Sequence, residues 1–394
     1  MSKIHAAPGT DAVSTGDHEI KRGADADVLW VSPGKISLIH ADAGARQRWR
    51  PGDAVADGNW DVPAGTALTD LEAYRVVAQR FVDGVPWQET AFHRNVVDEI
   101  ARGDQKARWN SRDEFAAFLE RVDACDAALR QRDRASGDAI AADDLPEQVE
   151  AGIRRDGRFL LVSGLLALAL ARLHGVETIP VRIVCRHQEW ADFRKLIDER
   201  LAKHGSTYQP IEHPDLKSIP AQHGTERAAM LRKQLQDYAG TGRRVLDIGT
   251  NWGYFCGQLE AMGFECTGIE LNKKYARIAT KIRDATESRY EIWQGSVLDF
   301  EGVENYDIIL ALNIFHHFLK TEEQFQGLQD LLKRIRAEVI FFQPHKPTEG
   351  QMRDAYRNFE ADVFVEFIRS QTGMRSVTPL GKARDGRGVY MLRR

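Results

Sequence analysis

The stretch Val245-Leu246-Asp247-Ile248-Gly249-Thr250-Asn251-Trp252-Gly253-Tyr254-Phe255 decides how the second half of the chain is read. A strand runs into a carboxylate, then into a glycine-bearing turn, then into the start of a helix. Ligands of open α/β sheets bind outside the carboxyl ends of strands, where such a turn lies. Gly249 and Gly253 let the backbone come close to a ligand. The spacing is D-x-G-x-x-x-G, whereas a pyrophosphate on a helix N-terminus calls for G-x-G-x-x-G. Asp247 would repel a phosphate held against the turn. An acidic turn suits a cationic ligand that carries no phosphate.

Working outward, Gly268-Ile269-Glu270-Leu271 ends the next strand in a second carboxylate. It falls roughly 20 residues after the first, the spacing at which an acid reaches ribose hydroxyls in such folds. From 225 onward helix and strand alternate, with strands expected at 244–246, 264–269, 290–293, 306–312 and 339–342. Such alternation implies a doubly wound parallel sheet. The segments 376–380 and 388–392 flank Asp385-Gly386, a hairpin turn signal.

These residues resemble motif I of class I S-adenosylmethionine-dependent methyltransferases, and the resemblance covers 225–394. It implies an α/β fold: a doubly wound Rossmann-like sheet that ends in an antiparallel hairpin. It implies S-adenosyl-L-methionine as cofactor, with Asp247, Gly249, Asn251 and Gly253 lining the methionine portion and Glu270 the ribose. Asn251 stands where the family often has glycine. Gln294-Gly295-Ser296-Val297-Leu298-Asp299 is similar to the family's adenine loop, which brings in Ser296 and Val297. Ser296 replaces a frequent aspartate there, so an amino-group contact to adenine is not implied.

The loop Asn313-Ile314-Phe315-His316-His317-Phe318 follows the fourth strand and, by the resemblance, faces the methyl group, with Asn313 at the cofactor. Family members that methylate adenine or glutamine amino groups carry N/D-P-P-Y/F here, and neither proline is present. His316 and His317 are the candidate general bases for transfer to a hydroxyl. Against that, the two imidazoles can simply cap or pack the next helix, and methyl transfer can run on proximity and orientation alone. His345, after the fifth strand, has similar access. No metal site is expected.

Upstream, 1–25 reads as a flexible tail and 26–187 as a first folded region, with helices expected at 71–81, 89–101 and 112–131. The segments 157–164 and 175–182 resemble the ParB/sulfiredoxin-like nucleotide-binding fold, which implies a smaller α+β N-terminal domain. In that family a basic pair follows the glycine and holds phosphate. Here Gly164-Leu165-Leu166 follows instead, so the copy is degenerate. Arg182, Arg186 and His187 read as solvated surface charges. The stretch 188–224 is expected to be a connecting helix and a linker, with Pro210, Pro214 and Pro220 as its breakers, and 205–224 is left open to fold over a neighbouring pocket instead.

The 394 residues carry a formal net charge of −4, with 43% apolar and 28% charged residues, an ordinary globular composition. Neither nucleic acid nor a membrane is expected as partner. Cys125, Cys185, Cys256 and Cys266 form no C-x-x-C pair, in keeping with reduced thiols in a cytoplasmic protein. The expected function is methyl transfer to an oxygen or nitrogen of a small-molecule or glycan acceptor, with the N-terminal module assisting recognition. Two other classes stay open: a sensor that binds cofactor without turnover, and a nucleotide-dependent phosphotransferase working from the N-terminal domain. No oligomeric state follows from the sequence.

Overall fold

The structure is a computed structural model and describes residues 28–40, 55–62, 67–103, 108–132 and 140–394. The tail expected over 1–25 lies outside them. The N-terminal half contains β1 (Val28–Val31), β2 (Leu38–Ile39), β3 (Val55–Ala56), α1 (Glu72–Phe81), α2 (Ala91–Ala101), α3 (Arg112–Gln131), β4 (Val149–Ile153), β5 (Phe159–Ser163), α4 (Leu165–Leu173), β6 (Ile179–His187) and α5 (Gln188–His204). Its sheet runs β1-β6-β4-β5-β2, with β3 also on β6, and mixes parallel and antiparallel pairs. The helix α4 is apolar on every face, and a helix of that kind has to lie inside a core. From Leu166 to Ala171 it is buried without interruption.

The C-terminal half contains α6 (Thr225–Leu235), β7 (Arg244–Ile248), α7 (Tyr254–Glu260), β8 (Glu265–Glu270), α8 (Lys273–Ala285), β9 (Glu291–Gln294), β10 (Ile308–Leu312), α9 (Glu322–Arg334), β11 (Val339–Gln343), α10 (Ala361–Thr372), β12 (Ser376–Lys382) and β13 (Gly388–Arg393). The sheet order is β12-β13-β11-β10-β7-β8-β9. β7 to β11 pair in parallel, and β13 runs antiparallel to both β11 and β12. Every residue of β10 and β11 is buried, as expected of central parallel strands covered on both faces. Successive strands leave β7 in opposite directions. The carboxyl ends of β7 and β10 therefore border the crevice where such sheets bind ligands.

The segment between the halves packs against both of them. α5 is not a free connector: Trp190, Phe193 and Ile197 join the N-terminal core, and so do Trp252, Ile278, Ile282 and Ala285 from the far half. Nor is 205–224 an open linker. His213 is fully buried, its Nε2 2.9 Å from the Gly157 carbonyl and its ring stacked on Phe159. Asp215 accepts from Trp190 Nε1 at 2.9 Å and pairs with Arg186 and Arg194. The prolines break regular structure, but tertiary contacts fix the chain as a strap between the halves.

The three basic residues expected as solvated surface charges all have protein partners, and His187 is buried. Arg182 pairs with Glu150 and Arg186 with Asp215, while His187 Nε2 lies 3.0 Å from the Gly58 carbonyl. At the start of α4, where a phosphate would need free N–H groups, Leu166 N and Ala167 N both donate to Glu147 Oε1, at 2.8 and 3.3 Å. Arg108 neutralises the same carboxylate. ATP titrated into the intact protein is therefore expected to give no saturable heat up to concentrations on the order of 100 μM. A micromolar, phosphate-dependent signal would restore the phosphotransferase reading. Among the described residues no helix is long and apolar enough to cross a membrane, and no group of three or more His, Cys, Asp or Glu side chains is arranged to hold a metal ion.

Candidate functional site

The turn after β7 is built around two demands. Gly249 has φ +75°, and a Cβ there would stand 2.7 Å from the Ile314 side chain. Gly253 has φ +81°, and its Cβ would meet the Tyr290 ring. Both positions need glycine for conformation and for space. Between them Asn251 takes φ 57°, and Asn313 at the end of β10 takes φ 59°. Asparagine tolerates this left-handed region better than most residues, and such backbone concentrates at functional sites.

Asp247 is buried beneath the turn. Cys256 Sγ donates to its Oδ2 at 3.8 Å, and Thr250 also bonds to it. Burial dominates these contacts and pushes the carboxyl up to about 6. Glu270, one strand over, accepts from Asn272 N at 2.8 Å and Asn251 N at 2.9 Å. These bonds aim its carboxylate at the crevice and hold it against the turn. Its pKa is raised, again chiefly by burial, with the two backbone bonds opposing. Burial raises both acids, and a ligand that brings positive charge or hydroxyl donors would offset the cost of ionising them there.

Ser296 and Val297 open the short turn Val297–Asp299 after β9. Ser296 Oγ accepts from Leu298 N at 3.2 Å, so the hydroxyl caps the turn, and Val297 is buried. Asp247, Gly249, Asn251, Gly253, Glu270 and Asn313 thus gather around the ends of β7, β8 and β10, with Ser296 and Val297 along the β9 side.

His316 and His317 lie in the turn Phe315–Leu319. His316 is 2% exposed, with ring contacts to His317 at 4.1 Å and His345 at 5.7 Å. Burial, reinforced by the neighbouring imidazoles, lowers its pKa to about 3. That imidazole is neutral at physiological pH, but a conjugate acid so strong makes a weak base. His317 is exposed at the surface, and its pKa is lowered mainly by desolvation. His345 is engaged with Asn358 Oδ1 at 2.9 Å.

The strap reaches over the crevice, the arrangement the sequence had left open for 205–224. Gln209 Oε1 accepts from Trp252 N at 3.4 Å, and Tyr208 Oη accepts from Asn313 Nδ2 at 3.4 Å. Thr250, Cys256, Tyr208, Gln209 and Arg227 all escaped the sequence reading. The proline spacing was the one hint that 205–224 covers a neighbour. Most buried polar side-chain atoms that lack a partner among the described residues cluster here: Asn251 Oδ1, Trp252 Nε1, Asn313 Oδ1, His223 Nδ1, both nitrogens of His316, and Nε and Nη2 of Arg227. Buried polar groups are nearly always satisfied, so these atoms are the ones that bound water or a ligand would complete.

An open α/β sheet with a ligand crevice at its switch point defines the class, and comparison with known proteins narrows it. Residues 221–367 match the model of a methyltransferase domain, so the C-terminal half carries such a domain. A protein of Geobacillus sp. (strain WCH70) with a methyltransferase assignment is 26% identical over 110 residues, which is 27% of this chain and 44% of the relative. The bifunctional kinase-methyltransferase WbdD aligns with 50% of this chain and 46% of its own length, at 16% identity and a TM-score of 0.40. The methyltransferase domain of bacterial CtHen1 aligns with 43% of this chain and 98% of its own, at 15% identity and a TM-score of 0.35. This chain therefore spans less than half the length of the Geobacillus relative and of WbdD.

Proposed function

We propose that the protein transfers a methyl group from S-adenosylmethionine to an oxygen or nitrogen of a small-molecule or glycan acceptor. The observation that carries this reading is the pair Asp247 and Glu270, buried acids toward the carboxyl ends of adjacent strands beside unsatisfied polar atoms. The residues fit the cofactor. Glu270 retains lone pairs for ribose hydroxyls, Asn251 and Asn313 offer unsatisfied polar atoms, and Asp247 offers charge to a cation. The cofactor supplies a methyl group activated by its sulfonium. The chain supplies orientation, exclusion of water by the strap, and charge complementarity. His316 and His317 are the available proton acceptors near the acceptor side. The low basicity of His316 favours transfer by proximity, with the acceptor's proton leaving to water or His317.

Because the strap is anchored in the N-terminal core and touches Trp252 and Asn313, we assign that half a part in admitting the acceptor. Calorimetric titration of S-adenosylhomocysteine is expected to show micromolar binding. Glu270→Ala should weaken it by ~10-fold or more, as loss of a charged hydrogen-bond acceptor does. Glu270→Gln, which keeps an acceptor oxygen, should be milder. A well-folded wild-type protein that gives no heat would sink this reading. Binding without turnover on any acceptor would favour the sensor.

A further inference from the structure

Toward β11, on the side of the sheet away from Glu270, lies a buried cation whose guanidinium contacts no carboxylate among the described residues. Arg227, in the first turn of α6, is 1% exposed. Its Nη1 donates to Gln343 Oε1 at 3.0 Å, while Nε and Nη2 have no hydrogen-bond partner among the described residues. The Phe255 ring lies 5.8 Å from the guanidinium carbon. The carboxylates nearby are engaged elsewhere. Asp385 and Glu349 both pair with Arg387, at 2.8 and 2.6 Å. Asp247 bonds to Cys256 and Thr250, and it feels the Arg227 charge without bonding to it. The position is also wrong for a cation, because the first turn of a helix is its positive end.

A buried charge without a partner is costly, and its cost here is not offset by packing alone. The two unpartnered groups, Nε–H and Nη2–H, are the parallel pair that grips a carboxylate or phosphate side-on. Gln343 ends β11, which lies two strands beyond β7 and its Gly249 turn, on the side opposite β8 and Glu270. His223 from the strap stands near the same guanidinium. Burial first and the Arg227 charge second lower the pKa of its imidazole. Asn313 Oδ1, also unpartnered, adds a hydrogen-bond acceptor between the two strands.

We propose that Arg227 anchors an anionic group, a carboxylate or a phosphate, carried by the methyl acceptor. The inference rests on the proposed methyl transfer for its functional meaning, but the anion site can be tested by itself. Thermal unfolding would be followed for the wild type and Arg227→Met at constant ionic strength, with ~10 mM inorganic phosphate or succinate against chloride. One of the two anions should raise the wild-type midpoint by about 2 °C or more, and the variant should lose that rise. The variant's own midpoint in chloride should be no lower than the wild type's, because a neutral side chain of similar length relieves an unpaired charge. Its affinity for S-adenosylhomocysteine should stay within about threefold.

Absence of any anion shift in the wild type would overturn the proposal, as would a variant several degrees less stable that shows the same shift. A variant that binds S-adenosylhomocysteine ten times more weakly, yet binds methylthioadenosine normally, would overturn it too and give Arg227 to the carboxylate of the cofactor. If the wild type shows the anion shift but binds no S-adenosylhomocysteine, the anion site stands and the cofactor reading falls.

Discussion

Replacing Trp190 with alanine is expected to lower the unfolding free energy by about 3–5 kcal/mol, the usual cost of emptying a large aromatic site. Trp190 is fully buried, and its ring meets Phe193 at 5.3 Å and His213 at 4.6 Å. The cavity cannot easily collapse, because the surrounding groups are fixed from both halves. A Cβ on Gly157 would strike the Trp190 ring at 2.4 Å and the Ala285 methyl at 2.5 Å, so the backbone already sits as close as it can. The indole N–H also holds Asp215, which is buried against Arg186 and Arg194. Removing that donor leaves a buried carboxylate with fewer partners, adding to the cavity term. Urea unfolding followed by far-UV circular dichroism measures the loss, with Gln188→Ala on the exposed side of α5 as a neutral control. The strap is fastened by Trp190, so S-adenosylhomocysteine affinity should fall as well. A loss below about 1 kcal/mol would show that the two halves are not coupled through this residue.

What was legible in the sequence is what local chemistry dictates. Asp247 and Glu270 announce themselves because each stands near the carboxyl end of a short strand, and β10 and β11 stand out as near-continuous apolar runs between helices. Ser111, Asn272 and Thr321 cap α3, α8 and α9 through neighbours two or three positions away, so those starts are written locally too. The strap is the opposite case. Pro210, Pro214 and Pro220 correctly exclude helix and strand, but the order of 205–224 comes from Gly157, Phe159 and Arg186, which are distant in the chain. Glu147 shows the same limit. The missing basic pair after Gly164 is visible, whereas the carboxylate that fills the helix start instead is visible only in three dimensions. Arg227 lies on a helix of unremarkable pattern, and nothing local says that its guanidinium is buried without an anion.

The affinity for S-adenosylmethionine is expected to rise with pH between 5 and 7 and then level off, and Asp247→Asn should flatten that rise. The folded carboxyl keeps its proton up to about pH 6, against an ordinary value of 3.8. Between those values the folded chain binds more protons than the unfolded one, so stability falls as pH rises through this window. The full penalty, about 3 kcal/mol by the pKa difference, is in place above pH 6. A cationic ligand prefers the ionised acid and so opposes that penalty. At pH 5 most Asp247 is protonated, and apparent affinity should stand ~10-fold below its plateau. Glu270 is also raised, by burial, and contributes in the same direction, which is why the variant is needed to separate them. Asp247→Asn should bind more weakly at pH 7.5, vary less between pH 5 and 7, and unfold at a higher urea concentration than the wild type at neutral pH. Parallel pH profiles for the two proteins would mean that Asp247 keeps its proton throughout. The turn would then recognise its ligand through backbone and hydroxyl contacts rather than through charge.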